Sequence, residues 1–205
     1  MNSGLKDIFG PGSCSDSRWV KTYEEMENHV AALRQLGQRI VLTMGTFDIL
    51  HVGHSRYLER AKERGDILIV GVDSDQKVKR RKGPSRPVVN QEERIEVLTH
   101  IRHVDLVFLK NADDPKWQLI KTVKPDVLIA TQETYTSDQL KVIKDFCGEV
   151  VVLEPQATTT TTAKIRLLLV SHLSSLEEAL KGARTNIAGE LDNVLGIIDK
   201  IKGGK

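Results

Sequence analysis

The chain of 205 residues is 40% hydrophobic and 28% charged, with a formal net charge of +2. That content suits one α/β domain with an appendage, and the charge is too small to imply a nucleic-acid partner. Two cysteines, Cys14 and Cys147, form neither a metal spacing nor a disulfide framework, apolar runs such as 67–72 are far below the roughly 20 residues of a membrane span, and the polar, glycine-rich start lacks the apolar core of a signal peptide. A reduced, cytoplasmic setting is the expectation.

Residues 1–17 read as a flexible leader, 18–170 as the main domain and 171–205 as a helical extension. Tyr23, Met26, Val30, Leu33 and Leu36 recur at helical spacing; Thr22 with Glu25 makes a capping box, and Gly37 a stop. Residues 40–44 form the first apolar strand, and a helix over about 52–64 ends at Gly65. A second strand covers 67–72. Residues 77–86 read as a basic loop, containing Gly83 and Pro84. Asn90 caps a helix carrying Ile95, Val97, Leu98 and Ile101. A strand over 105–109 follows, and Asp114-Pro115 opens another helix. Residues 127–130, a helix around 140–146 and a strand over 150–153 complete the alternation. Five threonines, 158–162, stand before Ala163 and Lys164; this run suits either a low-complexity linker or a helix N-terminus rich in hydroxyl groups. The tail from about Ser174 reads as two helical pieces broken at Gly182. The second carries Ile187, Leu191, Val194, Leu195, Ile198 and Ile201 on one stripe, which must cover its own domain or a partner. A homodimer is the expected use of it.

Strands apolar throughout and separated by helices predict an α/β fold, a doubly wound, Rossmann-like parallel sheet of about five strands. Ligands bind such sheets outside the carboxyl ends of the strands. The stretch TMGTFDILHVGH, residues 43–54, leaves the first strand at that end. His51 and His54, three apart at a helix start, share one side of the helix. Gly53 leaves room for a bulky group beside the backbone, and the helix N-terminus adds unpaired N–H groups. Together these make a site for an anion whose charge grows during reaction. A pair of histidines in a surface turn is the plainer alternative. A zinc site, with Asp48 as a conceivable ligand, lacks a clear third donor. The cations over 77–86 suit either a solvated face or a phosphate site; they are too few, and without interleaved aromatics, for a nucleic-acid patch.

Gly45-Thr46-Phe47-Asp48 followed by His51-Val52-Gly53-His54 resembles the signature of the cytidylyltransferase-like nucleotidyltransferases. The resemblance runs from about Tyr23 to Arg166. Within the superfamily the chain looks most like the adenylyltransferase branch that activates heptose 1-phosphate, through the helix before the first strand and the run from Lys79 to Pro87 followed by Arg94. The resemblance implies attack of an acceptor phosphate on the α-phosphate of a nucleoside triphosphate, with pyrophosphate leaving and magnesium accompanying the triphosphate. It implies catalytic roles for His51, His54 and Lys79. Thr46, Phe47, Gly53 and Thr131 would bind the nucleotide, with Thr160, Thr161 and Thr162 holding the outgoing phosphates. Lys82, Arg86 and Arg94 would hold substrate phosphate. No protein-bound metal is implied, and the partners are a nucleoside triphosphate and a small phosphorylated acceptor, with neither nucleic acid nor membrane. The segment from Ala130 to Tyr135 departs from both the heptose and the glycerol-phosphate patterns, and Gln156 stands where the latter has an arginine. The chemistry is therefore clearer than the substrate. ATP is the expected donor; a cytidylyltransferase making a CDP-alcohol or CDP-sugar, and a catalytically silent nucleotide-binding module, are the alternatives.

Overall fold

A computed structural model describes residues 14–131, 135–154 and 161–203. The chain divides into two compact units, Met1–Thr158 and Thr159–Lys205. In the first, a short helix α1 (Ser15–Arg18) precedes strand β1 (Trp19–Val20) and helix α2 (Tyr23–Gln35). Strand β2 (Ile40–Gly45), helix α3 (Val52–Lys62), strand β3 (Ile67–Asp73), helices α4 (Asp75–Lys82) and α5 (Gln91–Thr99) and strand β4 (Leu106–Lys110) follow. Helix α6 (Gln118–Val123), strand β5 (Val127–Ala130), helix α7 (Ser137–Ile143) and strand β6 (Glu149–Val152) complete this unit. Among the described residues, the second unit contains one helix, α8 (Thr161–Gly203).

The six strands lie in the order β1-β4-β3-β2-β5-β6, all parallel. Alternate residues of each strand supply opposite faces of the sheet. One core contains Ile40, Leu42, Ile67, Ile69 and Leu106 against Met26, Val30 and Leu33 of α2 and Leu119, Ile120 and Val123 of α6. The other contains Val41, Leu68, Val70, Val107 and Ile129 against Leu58 and Ala61 of α3 and Ile95 and Leu98 of α5. Burial on both faces explains why the strands read as unbroken apolar runs. Gly71 is fixed by packing: a Cβ there would meet the Leu119 side chain at 2.6 Å. The chain winds outward from β2 to β3 and β4, then returns to β5 on the other side of β2. The carboxyl ends of β2 and β5 therefore flank the switch point, where such folds bind ligands.

The expected doubly wound parallel sheet is present, with six strands in place of about five. The additional β1 has two residues, too few to show a period in sequence. Thr22 and Asn90 cap α2 and α5 as expected, accepting from the N–H of Glu25 and Glu93. Four expectations need correction. Residues 15–17 of the expected leader lie in α1. Most of the expected basic loop is helical: Ser74 caps α4 by accepting from Lys77 N–H, four basic residues occupy the last turn, and Gly83 ends it at φ 95°. Lysine and arginine are good helix formers and favour a helix C-terminus, so a charge run here is a helix signal. Asp114-Pro115 does not open a helix, because Asp114 is held outside by Tyr23 Oη at 2.8 Å and Asn111 N at 2.7 Å; α6 begins at Gln118. The tail is one continuous helix through Gly182. A single glycine costs a helix only about 1 kcal/mol relative to alanine, less than its neighbours supply.

Candidate active site

Strand β2 ends in a turn that the backbone bends sharply. Phe47 and Ile49 adopt φ of 53° and 46°, a left-handed conformation that non-glycine residues take only when their surroundings impose it. Phe47 is buried, and its ring lies 5.8 Å from that of His54. Gly45 accommodates this ring, since a Cβ there would stand 3.1 Å from Phe47 Cε2.

The turn delivers the chain to α3 with His51 as its N-cap. His51 Nδ1 accepts from Gly53 N–H at 3.1 Å, and His54 Nδ1 accepts from His51 N–H at 3.3 Å. The two rings stand 4.1 Å apart. A nitrogen that accepts from a backbone N–H carries no proton, so both imidazoles are set as Nε2–H donors. Burial, then the neighbouring His51 and Lys82, push the pKa of His54 down from 6.5 to about 4. His54 is thus neutral at physiological pH and presents one defined donor. The histidine pair is a built feature rather than two residues in a surface turn.

The next two segments frame this turn. Asp48, 6% exposed, accepts from Val88 and Val89 N–H at 3.0 and 3.1 Å and pairs with Arg86 at 2.6 Å. Burial raises its carboxyl pKa, but the Val89 and Val88 N–H groups and Arg86 outweigh burial and hold it below the ordinary value. With both oxygens engaged, Asp48 does not suit the zinc role considered from sequence. Among the described residues, no three His, Cys, Asp or Glu side chains cluster as a metal site.

Arg94 is 1% exposed and bonds to main chain and one carboxylate. Its Nε donates to Val89 O at 3.0 Å and Nη1 to Thr46 O. Its Nη2 donates to Asp73 O at 2.9 Å and Asp75 Oδ1 at 2.7 Å. Four bonds occupy nearly all of a guanidinium's five donors. Arg94 ties the ends of β2 and β3 together; it does not lie open as a phosphate-holding arginine would. Arg86 is likewise turned to Asp48.

Lys82, in the last turn of α4, is the lysine whose charge bears on His54. Burial, then Arg81 and Arg86, lower its own pKa. Lys79 and Lys82 are both exposed on α4, and neither side chain makes a hydrogen bond or ion pair among the described residues. Thr46 is buried and its Oγ1 accepts from Arg81 at 2.8 Å. Thr131 follows the carboxyl end of β5 and is exposed. Thr160 is outside the described residues; Thr161 and Thr162 begin α8, with their side chains outside the description.

Sequence reasoning missed a second charged group at this edge. Asp73, 1% exposed at the end of β3, pairs with Lys110 of β4 and with Arg81, each at 3.0 Å. Burial lowers the Lys110 pKa, against the pull of Asp73. The available signal was an ionisable residue closing each of two apolar runs, ILIVGVD and LVFLK. Tyr135 is also near: burial, then Tyr57 and Asp73, raise its pKa, and its ring lies 5.5 Å from Trp117.

A doubly wound sheet with a His-x-Gly-His helix start at its switch point defines a nucleotidyltransferase-type domain. The chain belongs to the cytidylyltransferase-like family, whose model matches residues 42–172. It is 41% identical over 148 residues to the bifunctional protein HldE of Aliarcobacter butzleri, covering 72% of this chain and 31% of that protein. The corresponding protein of Nitratiruptor is 42% identical over 155 residues, with 72% and 32% covered. The chain thus spans about a third of the length of these relatives. Among solved structures, the lipopolysaccharide core biosynthesis protein of Thermoplasma volcanium aligns with a TM-score of 0.51 and 28% identity, covering 57% of this chain and 98% of that one. Pantoate-beta-alanine ligase of Francisella tularensis shares the fold, with a TM-score of 0.50, 17% identity and 66% of each chain covered.

Proposed function

We propose that the domain transfers AMP from ATP to the phosphate of a small phosphorylated sugar or polyol and releases pyrophosphate. An acceptor phosphate oxygen forms a bond to the α-phosphorus as the bond to the bridging oxygen breaks, and the electron pair leaves with pyrophosphate. Charge grows on the α-phosphate oxygens and on the leaving oxygen. The observation that carries this reading is the pair of imidazoles whose Nδ1 atoms are tied to backbone N–H groups, leaving Nε2–H as donor beside Lys82. Neutral donors aimed at developing charge stabilise the transition state more than the ground state.

Lys82 supplies full positive charge next to His54, with Lys79 a second cation on the same helix. Thr46, Phe47 and Gly53 line the nucleotide side, and Thr131 stands where a base edge would lie. Thr160, Thr161 and Thr162 are assigned to the outgoing phosphates by the family resemblance. The donor set suits a magnesium ion held chiefly by triphosphate oxygens and water, the usual mode for this cation. When bound, it would neutralise phosphate charge.

ATP is preferred because the run from Lys79 to Pro87 and Arg94 resembles that of the adenylyltransferase branch. A pyrophosphate-release panel crossing ATP, CTP, GTP and UTP with sugar 1-phosphates, glycerol 3-phosphate, phosphocholine, FMN and phosphopantetheine tests the reading. Turnover is expected with ATP and a sugar or polyol phosphate. Preference for CTP overturns the donor, and turnover only with FMN or phosphopantetheine overturns the acceptor. Triphosphate binding without turnover on any acceptor supports the silent module instead.

A further inference from the structure

The apolar row of α8 is longer and more regular than the stripe legible at its end. Leu169, Leu173, Leu176, Leu180, Ala183, Ile187, Leu191, Val194, Ile198 and Ile201 follow one another at steps of three or four. At 100° per residue they fall within roughly 80° of arc over about 48 Å of helix. Leu173, Leu176 and Leu180 are 64%, 56% and 62% exposed, and Ile187 and Leu191 are similarly bare. The three-four alternation is a heptad seam, relieved once by the step of four between Ile187 and Leu191. Five turns from Leu173 to Leu191 take 18 residues, the 3.6 period of a straight helix. A partner for this seam is a helix lying nearly straight beside it.

We infer that α8 pairs with α8 of a second copy in an antiparallel, nearly straight two-helix seam. The row is complementary to itself about a two-fold axis perpendicular to the helix, the antiparallel arrangement, and less so about one parallel to it. With Leu173, Leu180 and Ile187 at one core position and Leu169, Leu176 and Ala183 at the other, antiparallel pairing places Leu180 opposite Ala183 of the second copy. It also places Leu176 opposite Ile187 and Leu169 opposite Val194. Large then meets small at the centre, whereas parallel pairing would set Ala183 against Ala183 and leave a gap. The flanking charges agree. Glu177 and Arg184 hold equivalent flanking positions seven apart, so an antiparallel partner brings each against the other twice about the axis. The positions on the opposite flank, His172, Ala179 and Asn186, carry no fixed charge. A parallel partner would set Glu177 and Arg184 against these uncharged positions. Six basic and five acidic residues over 161–203 make the helix nearly neutral, which disfavours an anionic membrane surface as its cover.

The test is sedimentation velocity of the full chain in reductant, over a micromolar concentration series. The expected species has twice the chain mass of 22.9 kDa, and Leu176→Asp with Leu180→Asp leaves it at the single mass. Arg184→Glu raises the dissociation constant about tenfold by setting two acidic pairs across the axis. Glu177→Arg has the same sign, with the added loss of its 2.7 Å bond to Lys181; combining the two restores dimerisation relative to Arg184→Glu alone. A single chain mass for wild type at every concentration overturns the inference, and flotation of that single chain with anionic phospholipid vesicles assigns the row to a membrane surface. A dimer that survives the aspartates overturns the seam. One weakened by Arg184→Glu but not rescued by Glu177→Arg overturns the antiparallel alignment.

Discussion

The turn over 45–54 and the basic segment over 75–94 lie at the same edge of the sheet and use polar groups in opposite ways. In the turn, backbone serves side chain: N–H groups of Gly53 and His51 fix the acceptor nitrogens of two imidazoles and leave their other nitrogens as donors. In the basic segment, side chain serves backbone and carboxylate. Arg94 bonds three carbonyls and Asp75, Arg86 holds Asp48, Arg81 holds Asp73 and Thr46, and Arg80 holds Asp113. A guanidinium offers five donors in a rigid plane and never loses its charge, which suits a frame; a neutral imidazole presents one aimed donor, which suits a reacting centre. Counting cations in sequence therefore overstates how many can reach a ligand.

The histidines should give the largest functional effect. His51→Ala and His54→Ala are each expected to cut kcat for pyrophosphate release by about a hundredfold or more, the cost of one transition-state donor. The melting temperature should change little. Near-wild-type turnover in both would break the catalytic half of the comparison.

Arg94→Met should act on the other half. It leaves Asp75 and buried carbonyls without their partner, and the expected cost is about 3 kcal/mol of folding stability, read by urea denaturation. Unchanged stability with lost substrate affinity would instead return Arg94 to the phosphate-holding role expected from sequence.

The lysines sharpen the contrast within α4. Lys82→Ala is expected to lower kcat by about tenfold, consistent with loss of one charge-assisted contact. Lys79→Ala should lower it less, because the charge of Lys82 acts on His54. Steady-state kinetics of both variants decide the ranking, and a larger effect at Lys79 would restore the lysine that the family resemblance singled out.

What the sequence revealed at this edge follows from the range of the interactions. The strands were legible because burial on both faces leaves unbroken apolar runs, and Thr22 and Asn90 were legible because a cap acts within three residues. His51 and His54 stood out because their partners are local too. The triple linkage of Asp48 to Arg86, Val88 and Val89, the bonds of Arg94 to Thr46, Asp73 and Asp75 and the Asp73–Lys110 pair join residues about 20 to 50 positions apart. No local pattern encodes such partners. The α4 helix was missed for a different reason: its apolar content is one buried residue, Val78, so periodicity was silent and the marks left were the Ser74 cap, the basic last turn and the Gly83 stop.

The smallest expected effect concerns pH and tests whether the environment of His54 is as built as its bonds suggest. Its pKa falls from 6.5 to about 4 on folding, chiefly through burial and then through His51 and Lys82. Between these values the unfolded chain binds a proton at this site that the folded chain does not. Stability therefore rises with pH through that window and is lost as pH falls from about 6.5 towards 4. Asn at position 54 keeps a polar side chain but cannot titrate, so His54→Asn should flatten the dependence of melting temperature on pH in that interval. His29, whose pKa burial also lowers, contributes with the same sign but is present in both proteins and cancels in the comparison. Asp48 cancels likewise, and its lowered carboxyl pKa places its titration below the window. Melting curves of wild type and His54→Asn from pH 7 to 4.5 make the measurement. Parallel slopes would mean that His54 titrates alike in the folded and unfolded chains, and the turn would then lose its claim to hold a neutral donor.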